Sequence, residues 1–185
     1  MGNLTVQEIR KLFEQSNEFN ELFDAFEQAI QLRIAEIGLY RLLFWNNTLS
    51  PDELCLFGEK LAKEFPDLAY DTFMWLANVF EVTYSMVDNY QLTFQYYQKA
   101  ASARPAEPEP YLKASNCYEP DLNIPPAASL ILFLKHGAER VRFPKPFFIR
   151  LAELFDIQGN DEMSEYYRRK ADAQTDPPQE QQSSQ

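Results

Sequence analysis

Phe73-Met-Trp-Leu-Ala-Asn-Val-Phe80, Tyr111-Leu-Lys-Ala-Ser-Asn-Cys-Tyr118 and Phe148-Ile-Arg-Leu-Ala-Glu-Leu-Phe155 follow one pattern. Each opens on an aromatic, sets a small or apolar residue three positions on and a small one at four, and closes on an aromatic at seven. Spacings of three, four and seven line one face of an α-helix. The small residues Ala77, Ser115 and Ala152 stand 38 and 37 residues apart, and self-similarity at such a period marks stacked supersecondary units. Where two helices of a hairpin cross closely, a small side chain lets the backbones approach and the flanking aromatics fill the outer space.

A second helix is expected after each stretch. Gln91 to Ala103 carries Phe94, Tyr97 and Ala100–Ala101 and stops at Arg104-Pro105. Ala127 to Arg142 carries Ile131, Leu132, Leu134 and Ala138 and stops at Phe143-Pro144. Asp161 to Ala173 carries Met163, Tyr166–Tyr167, Lys170 and Ala171, after a break at Gly159-Asn160. The other two hairpin turns, Tyr84 to Asn89 and Glu119 to Pro126, are longer and lack glycine.

Upstream, Thr5 to Gln15 reads as a short amphipathic helix with Val6, Ile9 and Leu12–Phe13 on one face. Phe19, Leu22, Phe23, Phe26, Ile30, Ile34 and Ile37 then continue a helical spacing, broken either at Gly38 or near Trp45 before Asn46–Asn47. Ser50-Pro51-Asp52-Glu53 starts a further helix, with a capping serine, proline in the first turn and acids beside it. That helix ends near Phe65-Pro66-Asp67. Residues from Gln174 to Gln185 are rich in Gln, Ser and Pro and read as a disordered tail.

Composition agrees with an all-α chain. Valines and glycines number five each, too few for a sheet with its hairpin turns, and 45% hydrophobic residues suffice for a core. The 185 residues suit one domain. A formal net charge of −11 argues against nucleic acid as a ligand. The acidity sits early, since residues 14 to 88 hold fourteen acids and four bases. A basic group, Lys135, Arg140, Arg142, Lys145 and Arg150, follows later. Cys55 and Cys117 lie among apolar neighbours, as buried free thiols do. The opening residues carry no apolar run of a signal peptide, and the most apolar stretch, Ile37 to Trp45, is too short to span a bilayer and contains Arg41. A cytoplasmic protein without membrane insertion is the expectation.

These stretches resemble the tetratricopeptide repeat family. The fullest match is Phe148-Ile-Arg-Leu-Ala-Glu-Leu-Phe155, then Gly159, then Tyr166-Tyr-Arg-Arg-Lys-Ala171. It is similar to the family's aromatic, Leu-Gly/Ala, aromatic, glycine turn and Tyr-x-Lys-Ala ending. A second match runs from Phe73 to Pro105 through Tyr96-Tyr-Gln-Lys-Ala100. A third, from Tyr111 to Pro144, is degenerate in its second helix. The resemblance spans about 100 residues, Tyr70 to Asp172, and the period exceeds the family's 34 by three to four residues. It implies antiparallel hairpins stacked as a right-handed superhelix, with about three repeats over residues 67–173, N-terminal helices over 1–66 and a tail over 174–185. The N-terminal helices are either one divergent hairpin or an element that caps the repeats or dimerises.

The residues suited to catalysis are few. His136 is the only histidine and stands beside Lys135 in an apolar run. No Glu-x-x-His, Cys-x-x-Cys or calcium-loop spacing occurs, and five scattered glycines make no phosphate loop. The expectation is a non-enzyme with no cofactor and no metal.

A binding surface is better marked. One turn round from the packing face stand Asp71, Met74, Asn78 and Glu81 in the first repeat, Glu109, Leu112, Asn116 and Glu119 in the second, and Ile149, Glu153 and Asp156 in the third. In proteins that resemble this one, that stripe lines a concave groove for a peptide. Asn78 and Asn116 fall at equivalent places, and an asparagine both donates to and accepts from a peptide backbone. Family members that clamp an acidic chaperone tail use Lys and Arg there. The Asp, Glu, Met, Leu and Ile found here predict a basic or amphipathic segment instead, anchored by Met74, Leu112 and Ile149. Leu39, Leu42, Leu43, Phe44 and Trp45 are a second candidate surface, buried within the monomer or, alternatively, in a homodimer.

The resulting expectation is an adaptor or scaffold that binds a segment of a partner protein. Two alternatives stand beside it. One is a small acidic secretion-type chaperone for an apolar client, since Glu109 to Tyr118 is loosely similar to those tetratricopeptide proteins. The other is a structural subunit of a larger assembly.

Overall fold

The computed structural model describes residues 4–83 and 86–174. Among the described residues ten α-helices follow one another: α1 (Val6–Gln15), α2 (Phe19–Gln31), α3 (Ile37–Phe44), α4 (Pro51–Glu64), α5 (Ala69–Thr83), α6 (Met86–Ala103), α7 (Glu109–Asn116), α8 (Ala127–Ala138), α9 (Lys145–Ile157) and α10 (Asp161–Asp172). A 3-10 turn at Pro66–Leu68 joins α4 to α5. Among the described residues no strand forms, and one isolated bridge pairs Glu119 with Ile124. The helices group into two compact units, the first ending at Arg104 and the second beginning at Pro105. The hairpin of α5 and α6 therefore belongs with the N-terminal helices.

In the first unit, α1 packs on α2 and α3, α2 on α4, and both α3 and α4 on α5. Reciprocal caps start two of these helices. The Glu8 N–H donates to the Thr5 hydroxyl, while the Thr5 N–H and hydroxyl donate to the Glu8 carboxylate. Those bonds hold the Glu8 carboxyl below its ordinary pKa. Ser50 and Glu53 repeat the arrangement at α4, ahead of Pro51. Ser50→Ala is expected to cost about 1 kcal/mol, read as a lower urea midpoint. An unchanged midpoint would mean that packing alone holds the first turn of α4.

The long pattern from Phe19 breaks earlier than Gly38 or Trp45. The chain turns at residues 32–36, where Arg33 takes a left-handed φ of 55°. Contacts distant in sequence accompany the break. The Arg33 guanidinium lies 4.7 Å over the Phe65 ring, and the Tyr40 hydroxyl donates to the Ile34 carbonyl at 2.7 Å. Beyond α3, Asn46 Nδ2 donates to the Phe13 and Ser16 carbonyls at the end of α1. At the centre, Phe26 is fully buried, with the Tyr40 ring 5.8 Å and the Phe57 ring 5.0 Å away, both edge-on.

The surface expected from Leu39 to Trp45 is mostly interior. Leu39, Leu43 and Phe44 are buried within the chain and Leu42 is half-buried. Trp45 is 47% exposed and meets Trp75 of α5 edge-on at 6.0 Å. A helix apolar nearly all round finds its cover here among its own neighbours.

The hairpins repeat one ring arrangement. Tyr96 of α6 lies 6.0 Å from Phe73 and 5.6 Å from Phe80. Tyr167 of α10 lies 6.2 Å from Phe148 and 5.6 Å from Phe155. Three residues before each tyrosine stands a small buried hydroxyl residue, Thr93 or Ser164, and four after it a buried alanine, Ala100 or Ala171. Lys99 and Lys170 lie over the corresponding rings. In the hairpin between them Phe133 faces Tyr111 at 4.6 Å, and the residue four on is Gly137.

Two helix limits differ from the sequence reading. The turn expected from Tyr84 to Asn89 is corrected over residues 86–89, which belong to α6, and residues 84–85 lie outside those described. Met86, Tyr90, Thr93 and Tyr97 recur at helical spacing, so Asp88 and Asn89 sit within the helix rather than before it. Conversely, α8 ends at Ala138, four residues before Arg142, as the N–H groups of Arg140 and Val141 both turn back to the Gly137 carbonyl. The break at Gly159 stands as expected, with φ 69°, and Asn160 caps α10 through the Met163 N–H. The tail read over 174–185 falls, beyond Gln174, outside the described residues.

Candidate protein-binding surface

On α5 the chain itself engages the expected stripe. Asp71 pairs with Arg104 at 3.6 Å. The Tyr97 hydroxyl donates to Glu81 at 2.7 Å and lies 3.3 Å from Asn78 Oδ1. Met74 is only 6% exposed. It belongs to the core of its unit, so its expected role as an exposed apolar anchor is corrected. A helical stripe beside a packing face borders it on one edge, and a long flexible side chain there turns inward.

On α7, Leu112 is half-buried and Asn116 exposed, while Glu109 pairs with Lys113 at 3.2 Å. Glu119 leaves the stripe. The helix ends at Asn116, and Glu119 bonds through its backbone with Ile124, accepting at 3.2 Å and donating at 2.7 Å. The residue ahead of a proline, here Pro120, disfavours helical backbone.

On α9, Ile149 is 45% exposed. Glu153 pairs with Arg150 at 2.7 Å, and Asp156 pairs with Arg168 of α10. Arg150 also ties α9 to α7, donating through Nη2 to the Ser115 carbonyl at 2.7 Å and through Nε to its hydroxyl at 3.3 Å. The α7 and α9 parts of the stripe are thus joined through one guanidinium.

Between α9 and α10 opens a cleft of about 390 Å³, lined by Ile149, Ala152, Glu153, Arg168, Ala171 and Asp172. Ile149 and Glu153 come from the expected stripe. The α10 wall does not, since its residues lie in the second helix of the hairpin, whose expected role is packing. The signal available for it was the small residue Ala171 four positions after Tyr167.

The basic group of the second unit is largely taken up by packing. The Lys135 ammonium lies 5.7 Å and 5.8 Å over the Phe155 and Tyr167 rings. The Arg140 guanidinium donates to the His136 carbonyl, and that of Arg142 lies over Phe143. Neither thiol is poised as a nucleophile. Burial pushes the Cys55 thiol up despite a hydrogen bond with Tyr96, and Cys117 is buried and donates to the Lys113 carbonyl. Among the described residues no three His, Cys, Asp or Glu side chains cluster to hold a metal ion, and no helix is long and apolar enough to cross a membrane. A scan against protein-family models finds no match to this chain, and a search of curated proteins finds none either.

Proposed function

We propose that this chain is a protein-interaction module, an adaptor or scaffold that holds a basic or amphipathic segment of a partner against its second unit. The observation that carries the reading is the joined surface of α7 and α9. There Leu112 and Ile149 offer apolar area, Asn116 a backbone-pairing amide, and Glu153 and Asp156 carboxylates. Apolar anchors rimmed by polar and charged groups are the usual composition of a binding patch. The recurring ring arrangement supports tetratricopeptide-like hairpins as the scaffold. Two free cysteines suit a reducing compartment such as the cytoplasm. Binding rather than catalysis fits a surface whose ionisable groups sit in ordinary exposed ion pairs.

The test is a pull-down with the tagged chain as bait, comparing wild type with Leu112→Ala plus Asn116→Ala. One dominant partner should be retained by wild type and bind about tenfold more weakly to the variant, with the helical spectrum of the variant unaltered. A partner held equally by both would remove the α7 surface from consideration.

A further inference from the structure

The two hairpins of the second unit share one register. Phe133 faces Tyr111 as Tyr167 faces Phe148. Four residues after each second-helix ring comes a small buried residue, Gly137 in α8 and Ala171 in α10. On the first helices the matching small residues are Ser115 and Ala152, both buried.

In the hairpin of α7 and α8 these small residues form a seat, and α9 lies in it. Phe147 is fully buried, with a ring carbon 2.5 Å from where a Gly137 β-carbon would stand. Arg150, three residues on, donates to the Ser115 carbonyl and hydroxyl. Lys135 reaches from α8 over the rings of the next hairpin.

In the hairpin of α9 and α10 the same seat is the open cleft of about 390 Å³. By the ring register, its Ile149, Ala152 and Ala171 correspond to Leu112, Ser115 and Gly137. Arg169, the counterpart of Lys135, is exposed and pairs with Glu165 along its own helix. Three lining positions differ in charge: Glu153 stands where the filled seat has Asn116, Asp172 where it has Ala138, and Arg168 where it has Leu134. Two carboxylates against one guanidinium leave the open seat the more acidic, and a basic side chain is its complement.

We propose that this cleft takes an amphipathic α-helix of a partner protein, one that carries an aromatic residue and, three positions on, a basic residue. It lies between α9 and α10 as α9 lies between α7 and α8. The aromatic rests against the Ala171 β-carbon, and so further from the helix backbone than Phe147 lies over Gly137. The basic side chain reaches the Glu153 carboxylate, beside the position where Arg150 reaches Ser115 in the filled seat. Residues 174–185 hold no aromatic and no branched aliphatic side chain, and so lack the anchor that the seat calls for. The proposal rests on the protein-binding reading and adds a helix of the partner beside the α7 and α9 surface, sharing Ile149 and Glu153 with it.

The probe is a fluorescent peptide of the α9 sequence, Lys145 to Ile157, stapled into a helix on the side away from Phe147 and Arg150. It is titrated by anisotropy against the full chain. Wild type should bind it saturably, and Glu153→Arg plus Asp172→Arg should weaken binding about tenfold or more. Phe147→Ala or Arg150→Ala in the peptide should weaken it comparably against an unaltered chain, and Ser50→Ala in the first unit should leave it unchanged. Absence of saturation with wild type, or equal binding to the charge-reversed cleft, overturns the proposal. If a pulled-down partner is lost from the α7 variant while the cleft variant keeps it, the binding function stands and the helix seat falls. Indifference of that partner to both variants overturns both. A dimer in sedimentation velocity that the cleft variant abolishes would give the seat to a second copy and overturn the partner helix.

Discussion

Phe26→Ala lowers the free energy of unfolding by about 3–5 kcal/mol. Phe26 is fully buried in α2 and stands between the edges of Tyr40 from α3 and Phe57 from α4. Its removal takes away the ring shared by three helices. The helices cannot close the gap, because α2 and α3 are held at their junction by the Arg33 turn and by the Tyr40 hydroxyl on the Ile34 carbonyl. The loss thus combines the transfer free energy of the ring with an unfilled cavity. Against a typical domain stability of about 5–15 kcal/mol, one such change brings the first unit close to unfolding. Urea denaturation followed by circular dichroism measures it. Phe26→Leu keeps part of the volume and should cost distinctly less, and a loss under about 1 kcal/mol for the alanine variant would contradict the packing described.

Gly137→Ala should also destabilise, against the ordinary preference of helices. Replacing an interior helix glycine by alanine normally stabilises by about 1 kcal/mol. In α8 the new β-carbon would lie 2.5 Å from a Phe147 ring carbon and 2.7 Å and 2.8 Å from two Tyr111 ring carbons. Both rings are fully buried and have no free end to swing aside. Overpacking of this kind costs about 1–3 kcal/mol, so the net effect is a lower melting temperature. Gly38 supplies the opposite sign. Its β-carbon would meet only Glu36 Oε1 at 3.5 Å, so Gly38→Ala should raise the midpoint slightly. A stabilised Gly137→Ala would mean that α9 does not sit on α8 as closely as the rings indicate.

The sequence was most informative where local chemistry decides the outcome. Ser50-Pro51 with Glu53, Gly159-Asn160 and the three aromatic-small-aromatic stretches each specify a cap, a turn or a packing face within a few residues. It was least informative where distant residues decide. No glycine or proline marks the turn at Arg33, and Ile34 continues the apolar spacing straight through it. Met86 to Tyr90 carries polar residues that look like a turn until the spacing to Thr93 and Tyr97 is counted. The grouping of α5 and α6 with the N-terminal helices depends on which faces meet, which periodicity leaves open. The candidate surface shows the same division. Helical spacing placed Leu112, Asn116, Ile149 and Glu153 on exposed or half-buried positions of two neighbouring helices. It could not separate Met74, which borders the packing face, from residues one step further round. Arg168 and Asp172 come from the partner helix of the hairpin, beyond the reach of a stripe drawn on one helix.

Both tryptophans of the chain, Trp45 and Trp75, stand against each other on α3 and α5, with the Arg41 guanidinium 4.5 Å over the Trp75 ring. Indole emission therefore originates wholly in the first unit, while the second contributes only tyrosine and phenylalanine. Fluorescence excited at the red edge of protein absorption follows the loosening of α3 from α5, whereas far-ultraviolet ellipticity sums over every helix. The two optical signals, recorded on one unaltered sample, report different parts of the chain without any label being attached.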